Sequence, residues 1–286
     1  MQDHLLKATS NGIRVFAAVT TNLVGEACKR HNCFPVAAAA LGRTMTGAVL
    51  LAANLKTKEC VTLKIAGDGV LGKIVADANA EGFVRGYVDH PQVNLPLNAG
   101  KLAVGEAVGK GLISLTRFTG LKNPFTGSSE LITGEIAEDI TNYLCVSEQT
   151  PSSVGLGVLV NPELKILAAG GFFIQALPEV EDSALDVIEK NLKSLEPVSQ
   201  MIYEGLDAKG IIAEIFKTLP VNYFENQDLQ FKCQCSKEKI QGILISLGRE
   251  ELVSLYDDGE AEVSCHFCGN KYQFAKEELE SLLNLL

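Results

Sequence analysis

Four cysteines near the C-terminus form the grouping with the clearest chemistry in this sequence. Cys233 and Cys235 make a Cys-x-Cys pair, Cys265 and Cys268 make a Cys-x-x-Cys pair, and 29 residues separate the two pairs. Four thiolates brought to one point provide the tetrahedral, soft ligand set that zinc prefers. Two tight pairs within 36 residues are poorly explained as unrelated core cysteines. The spacing therefore predicts one zinc ion held by all four thiolates.

The same cysteines carry a weaker signal for redox chemistry. A Cys-x-Cys pair is tighter than the usual spacing in structural zinc sites, and a disulfide across so short a span should be strained and labile. Most four-cysteine sites are structural, so the residues alone favour a structural site and leave a redox site as the alternative. His266 lies inside the second pair. Four thiolates already fill a tetrahedron, which favours a solvent-facing or supporting role for this histidine.

Local patterns predict the elements that position the two pairs. Apolar residues alternate before the second pair (Ala261, Val263) and after it (Tyr272, Phe274), and Gly269 follows Cys268. This pattern is typical of a β-hairpin whose turn aims two sulfurs at one ion. Residues 232–286 are predicted to form a small zinc module, with helices over residues 236–247, 250–256 and 276–285.

Other candidate sites are weaker. Cys28 and His31 lie one helical turn apart and could form a nucleophilic pair, but no third orienting group is identifiable, and an inward cysteine beside an exposed histidine is favoured. Cys60 and Cys145 fall in strand and helix patterns typical of core residues. Residues 105–111 (GEAVGKG) resemble a phosphate loop but lack its spacing and the hydroxyl residue that binds magnesium. The sequence thus predicts no catalytic residues and a protein that is not an enzyme.

Charge and composition narrow the class of protein. The formal net charge is −10, which argues against nucleic acid as a partner because phosphate binding needs a basic face. The first residues lack the pattern of a signal peptide, and four clustered cysteines then indicate metal ligation in a reducing compartment, the cytoplasm. The apolar stretch over residues 36–55 contains Arg43 and several polar residues. It predicts a buried helix, and no membrane span is expected.

Hydrophobic periodicity predicts an α+β fold in three parts. Residues 1–178 are predicted to form a mixed α/β domain with a mainly antiparallel sheet. Its predicted strands cover residues 12–19, 60–66, 73–78, 82–88, 111–118, 153–160 and 165–175. Its predicted helices cover residues 23–31, 35–55 and 131–146, with a helix N-cap among residues 20–22.

Composition shifts after Pro178. Residues 179–229 are charged and helix-patterned, and residues 179–231 are predicted to form a helical linker. Helices are predicted over residues 184–195, from Pro197, and over residues 208–216. Each is short, and Pro197, Gly205, Gly210 and Pro220 interrupt the segment, so each helix needs a surface on which to pack. A linker that docks or melts explains this segment, and an ordinary helical subdomain explains it about as well.

The four cysteines, with segments along most of the chain, resemble the heat shock protein 33 family, the redox-regulated 33 kDa chaperonins of bacteria. The matching segments are residues 35–44 (PVAAAALGRT), 67–69 (GDG) with Gly72, 84–88 (VRGYV), 91–97 (PQVNLPL), 108–111 (VGKG), 128–139 (SSELITGEIAED), 147–152 (SEQTPS) and 169–171 (AGG). The resemblance covers nearly the whole chain, with no departure at the four cysteines.

This resemblance implies a redox-regulated, ATP-independent holdase. In the reduced state zinc would be bound by Cys233, Cys235, Cys265 and Cys268, and the protein would be inactive. Oxidants would convert Cys233–Cys235 and Cys265–Cys268 to disulfides with loss of zinc, and the module and linker would unfold. The active form would bind unfolding client proteins, commonly as a homodimer. The competing hypothesis is a constitutive structural zinc protein that binds a protein partner.

Overall fold

The computed structural model describes residues 1–121, 123–178 and 180–286, and its contacts divide the chain into two compact units, Met1–Lys232 and Cys233–Leu286. Within the described residues the fold is α+β with almost entirely antiparallel sheets, which confirms the predicted class. The predicted boundaries at 178 and 231 stay predictions, and residue 179, the predicted start of the linker, lies outside the described residues.

Two six-stranded sheets form the unit Met1–Lys232. The first sheet has the order β10-β1-β2-β9-β8, with β11 also paired to β1. Its strands are β1 (His4–Ser10), β2 (Ile13–Val19), β8 (Ser152–Val160), β9 (Ile166–Ala176), β10 (Asn222–Tyr223) and β11 (Gln227–Asp228). The second sheet has the order β12-β5-β4-β3-β6-β7. Its strands are β3 (Cys60–Gly67), β4 (Lys73–Asn79), β5 (Phe83–Val88), β6 (Gly111–Phe118), β7 (Phe125–Glu130) and β12 (Gln230–Phe231).

A central helix, α2 (Pro35–Ala52), lies between the two sheets and packs on both. It is alanine-rich, which lets the sheets approach closely, and a Cβ on Gly42 would lie 2.8 Å from the Val158 side chain on β8. By length and composition α2 could span a membrane, but 89% of it is buried inside the fold. This burial agrees with the predicted core helix.

The remaining helices of this unit pack around the sheets. Helix α4 contacts β7 and β8, and α5, α6 and α7 form a second core against the outer face of the first sheet. The helices are α1 (Thr21–His31), α3 (Val104–Val108), α4 (Ala137–Glu148), α5 (Asp182–Lys193), α6 (Val198–Tyr203) and α7 (Ala208–Phe216). The linker helices therefore pack on this sheet within Met1–Lys232.

Two helix starts differ from the prediction. Helix α4 begins at Ala137 instead of residue 131, because the buried Asp139 carboxylate accepts hydrogen bonds from the backbone N–H groups of Ile132, Thr133 and Ile136 and holds the preceding residues in a loop. Helix α1 is not capped by a side chain of residues 20–22. Its first-turn N–H groups donate to Asp3, the residue immediately before β1.

Several short elements were not predicted. They are β1, α3, β7 and the strands within residues 222–231, a segment that we call the strap. No element was predicted for the strap, although residues 179–229 were described as helix-patterned. The strap is extended instead, because its backbone pairs with β1 and β5, one strand from each sheet.

The unit Cys233–Leu286 has its own small core of seven buried residues, Ile240, Leu244, Leu252, Ala261, Phe274, Leu279 and Leu282. Its helices are α8 (Lys237–Leu247), α9 (Arg249–Asp258) and α10 (Lys276–Leu283). Strands β13 (Glu260–Ser264) and β14 (Lys271–Ala275) form the predicted hairpin.

Candidate metal centre

The four predicted cysteines meet at one point in the unit Cys233–Leu286. All four sulfurs lie within 4.8 Å of one another. The Cys233 and Cys265 sulfurs are 3.7 Å apart, and the Cys235 and Cys268 sulfurs are 3.4 Å apart. Sulfurs that bind one zinc ion at about 2.3 Å are separated by about 3.8 Å in a tetrahedron. The observed spacing therefore fits four sulfurs around one small cation.

Local structure explains how each pair reaches the centre. Cys265 and Cys268 lie in the turn between β13 and β14, where the Cys265 N–H donates to the Asn270 carbonyl (2.9 Å) and the Gly269 N–H donates to the Cys265 carbonyl (2.8 Å). Gly269 has φ = 71°, a left-handed conformation that glycine adopts without strain. The turn therefore presents both sulfurs to one side.

The first pair enters from an extended segment that ends at α8. Ser236 caps this helix by accepting a hydrogen bond from the Lys239 N–H (3.3 Å), so the chain turns immediately after Cys235. The Lys239 ammonium also donates to the Gln234 carbonyl (2.7 Å), between the two cysteines. These contacts hold the Cys-x-Cys segment in an open conformation with both sulfurs directed towards the hairpin turn.

Tyr272 contributes a contact that the sequence reasoning missed. Its hydroxyl donates a hydrogen bond to the Cys235 sulfur at 3.0 Å. The sequence identified Tyr272 only as part of the β14 alternation. Because alternate residues of a strand share a face, its position two residues before the buried Phe274 was the available signal.

Electrostatics at the centre favour a cation. Burial raises the pKa of both the Cys265 and the Cys268 thiols. The hydrogen bond to Cys235, followed by burial, raises the pKa of Tyr272 to about 12, so its hydroxyl keeps its proton at neutral pH. Four thiolates in one half-buried cluster repel one another unless a positive charge offsets them. The cluster can therefore hold a metal ion, and its four-sulfur donor set matches soft cations.

The histidines and the other cysteines do not belong to this four-sulfur group, and Cys145, which was predicted to be a core residue, is exposed. His266 is exposed, and the four-cysteine group does not include it. Cys28 is buried beside Cys33. A hydrogen bond with the Cys33 thiol, and then burial, raises the pKa of the Cys28 thiol. The His31 Nε2 hydrogen-bonds to the Gly86 carbonyl (3.1 Å). A buried thiol with a raised pKa is a poor nucleophile, which argues against the Cys28–His31 site.

The rejected phosphate loop has another use in the structure. The Lys110 N–H donates to the Asp68 carboxylate (2.7 Å), and the Gly69 N–H donates to the Val108 carbonyl (2.9 Å). This backbone packs against the turn that contains Asp68, so these hydrogen bonds stabilise the fold and are not available to a phosphate.

Comparison with known proteins shows the family of this chain. The model of the family described as Hsp33 protein matches residues 3–275. The chain belongs to this family. The Hsp33-family relatives include the 33 kDa chaperonin of Desulforamulus reducens, 47% identical over 99% of this chain and 98% of that protein. The 33 kDa chaperonin of Bacillus licheniformis is 49% identical over 98% of each chain.

A solved Hsp33 structure agrees over the whole length. The crystal structure of the 33 kDa chaperonin (heat shock protein 33 homolog) of Thermotoga maritima covers 99% of this chain and 98% of its own, with a TM-score of 0.92 and 36% identity. The family resemblance predicted from sequence is thereby confirmed. Membership supports a chaperone function, and the absence of enzymatic activity stays a prediction.

Proposed function

We propose that this protein is a redox-regulated, ATP-independent holdase. It would hold zinc and be inactive when reduced, and it would bind unfolding proteins after oxidation. The observation that carries this proposal is the convergence of Cys233, Cys235, Cys265 and Cys268 within a unit that has only a small apolar core. A unit of this size is marginal by its core alone, whereas structural zinc contributes about 10–16 kcal/mol of apparent binding energy.

The four thiolates that hold the metal are also the groups that oxidants attack. Bound zinc would keep the four sulfurs as thiolates, the nucleophilic form of cysteine. Peroxide converts one thiolate to a sulfenic acid, and a neighbouring thiol attacks that sulfur to form a disulfide and release water. Two disulfides, proposed as Cys233–Cys235 and Cys265–Cys268, would leave the metal without thiolate ligands.

The pairing of these disulfides rests on the adjacency of the cysteines in the chain. The structure does not favour this pairing by distance, because Cys235 lies 3.4 Å from Cys268 and Cys233 lies 3.7 Å from Cys265, and in a tetrahedral arrangement each sulfur is about equally far from the other three. Movement of the chain after the first cysteine is oxidised would then determine which cysteines form each disulfide. Peptide mapping of the oxidised protein tests the assignment, and a disulfide between Cys235 and Cys268 would contradict it.

Linker helix α7 supports an inactive state in which apolar surface is covered. Ile211, Ile212, Ile215 and Phe216 are completely buried against the first sheet. The linker chain continues into the strap, and Lys232, the last residue of this unit, is followed directly by Cys233. Unfolding that begins at the cysteine cluster would therefore run into the linker and uncover these side chains. Exposed apolar surface is what a holdase offers to clients.

The proposed setting follows from charge and cysteine chemistry. We propose that the protein works in the cytoplasm, where thiols remain reduced until oxidative stress. Its partners would be unfolded or partly folded proteins, with homodimer formation in the oxidised state. The net charge of −10 disfavours nucleic acid.

One experiment separates this function from that of a constitutive structural zinc protein. Zinc-loaded, reduced protein is treated with peroxide at heat-shock temperature, and zinc release and suppression of client aggregation are followed together. The holdase proposal expects both to rise in parallel and to reverse after reduction with zinc supplied. If zinc stays bound, or leaves with no gain in activity, the site is structural and the proposal is wrong.

A further inference from the structure

The strap, residues 222–231, closes the edges of both sheets with one short stretch of chain. Within it, β10 and β11 pair antiparallel with β1, and β12 pairs parallel with β5. Among the described residues, neither β1 nor β5 has another neighbouring strand on that side. Removal of the strap would therefore turn both strands into open edges, which readily add another extended chain.

Backbone hydrogen bonds carry most of this pairing. The Phe224 N–H donates to the Lys7 carbonyl (2.9 Å), and the Leu229 N–H donates to the Asp3 carbonyl (3.1 Å). On the second sheet, the Gln230 N–H donates to the Gly82 carbonyl (3.0 Å) and the Lys232 N–H donates to the Val84 carbonyl (2.9 Å). Such contacts accept any sequence with a free N–H at the right spacing.

Two apolar side chains anchor the strap. Leu229 is 8% exposed and lines a narrow slot together with Leu5, Val49 and Val84. Phe231, two residues later, packs against the main core, and the Arg30 guanidinium lies 5.2 Å from the centre of its ring. Backbone pairing with pockets for alternate side chains is the pattern by which sheet edges bind extended peptides.

The strap is also weakly held for a structural strand. Its three ladders each contain two residues, and Tyr223 and Phe224 are exposed. Short ladders with few buried contacts open at low free-energy cost. The strap therefore has the properties of an internal ligand that can exchange with an external one.

We propose that the groove between β1 and β5, vacated by the strap, binds an extended apolar segment of an unfolded client by adding it to the sheet edges. The segment that fits carries two apolar side chains two residues apart, in place of Leu229 and Phe231. This inference rests on the proposed function, because activation must release the strap. The inference adds where a client binds and how it binds, which the exposure of apolar surface alone does not define.

A peptide of residues 222–232 tests the groove on the full-length protein. The labelled peptide should bind oxidised, zinc-free protein and compete with an unfolded client, and it should bind reduced, zinc-loaded protein at least tenfold more weakly. N-methylation at Gln230 and Lys232 removes both donors to β5 and should weaken binding about tenfold or more. The matched control is N-methylation at Phe231, whose N–H lies between those donors and faces the opposite side of the strand.

The outcomes separate this inference from the holdase proposal. If oxidised protein suppresses aggregation but the peptide neither binds nor competes, or if all N-methylated peptides bind equally, the groove proposal is overturned while the holdase proposal stands. Absence of any anti-aggregation activity would overturn the holdase proposal itself. Hydrogen exchange supplies a second measurement. Amides of β1 and β5 should lose protection on activation and regain it with client, and protection unchanged throughout would contradict strap release.

Discussion

Individual side chains at the cysteine cluster have separable roles. Cys233, Cys235, Cys265 and Cys268 supply the four sulfurs, and Tyr272 supplies a hydrogen bond to one of them, Cys235. A ligand cannot be replaced without changing the coordination number, whereas a supporting donor only tunes the strength of one ligand. Two substitutions distinguish these roles.

Loss of one ligand should disable the site in the reduced protein. We expect Cys268→Ser to weaken zinc binding strongly and to leave residues 233–286 sensitive to protease without any oxidant, because three thiolates do not complete the tetrahedron. Competition with a colorimetric chelator measures the zinc affinity. Cys28→Ser is the control, since Cys28 is buried in the other unit, and unchanged zinc affinity in Cys268→Ser would contradict the assignment.

Removal of the Tyr272 hydroxyl should have a graded effect. We expect Tyr272→Phe to lower zinc affinity by about 10–100-fold and to speed alkylation of Cys235, because the thiolate loses its hydrogen-bond donor while the ring remains. Mass spectrometry of alkylated peptides reports the rate at each cysteine. Tyr256→Phe is the matched control from the same small core, and equal effects of both variants would show that Tyr272 acts only through packing.

At the scale of secondary structure, distant residues complete elements that local sequence leaves unfinished. Helix α1 begins after Thr20, but the Thr20 hydroxyl hydrogen-bonds to Thr46 on α2 at 2.8 Å. Asp3, immediately before β1, supplies the missing cap by accepting hydrogen bonds from the Asn22 and Leu23 N–H groups. One carboxylate therefore joins the start of the first strand to the first helix.

This cap should be measurable as stability. We expect Asp3→Ala to lower the free energy of unfolding by about 1–2 kcal/mol, because two N–H groups at the start of α1 lose their acceptor. Denaturant titration of the reduced, zinc-loaded protein measures the change. In Glu26→Ala, which removes only a surface ion pair with Arg30 on the same helix, the change should stay near 0.5 kcal/mol or less. A comparable loss in both variants would exclude the cap.

Packing of helix α7 on the first sheet should determine whether the apolar side chains of the linker stay buried. We expect Ile212→Ala to cost about 2–5 kcal/mol locally and to raise binding of an apolar dye by the reduced protein, because the variant leaves a cavity against the first sheet. Fluorescence at fixed zinc content measures the exposure. Glu214→Ala alters an exposed residue of the same helix and should leave dye binding unchanged, and identical dye binding by the Ile212 variant would argue against this role for α7.

The two units of the molecule should respond differently to metal removal. The unit Met1–Lys232 has two large cores, whereas Cys233–Leu286 buries seven apolar residues. We expect a chelator to unfold the smaller unit first, so that the earliest trypsin cuts fall at Lys232, Lys237 or Lys239, ahead of cuts in the linker helices. Zinc supplied before the protease should prevent these cuts. Resistance of the metal-free protein would show that the small core suffices.

The sequence by itself determined those features whose physics is local. The cysteine pairs, the glycine turn and the alternation of β13 and β14 depend on residues close in the chain, and they predicted both the hairpin and the ligand set. The periodicity of the longer strands and of α2 likewise follows from which face each element buries. The fold class and most of the longer elements of residues 1–178 were predictable for this reason.

Only the tertiary structure decided the contacts that join distant residues. The local pattern of the strap predicted no strand, and the strap becomes extended because β1 and β5 offer backbone groups for pairing. Asp139 holds residues 132–136 out of the helix, Asp3 caps α1, and Tyr272 reaches Cys235 across 37 positions. In each contact a buried polar group finds a hydrogen-bond partner that is distant in the chain. The local sequence shows that such a group needs a partner, but only the complete fold determines which residue provides it.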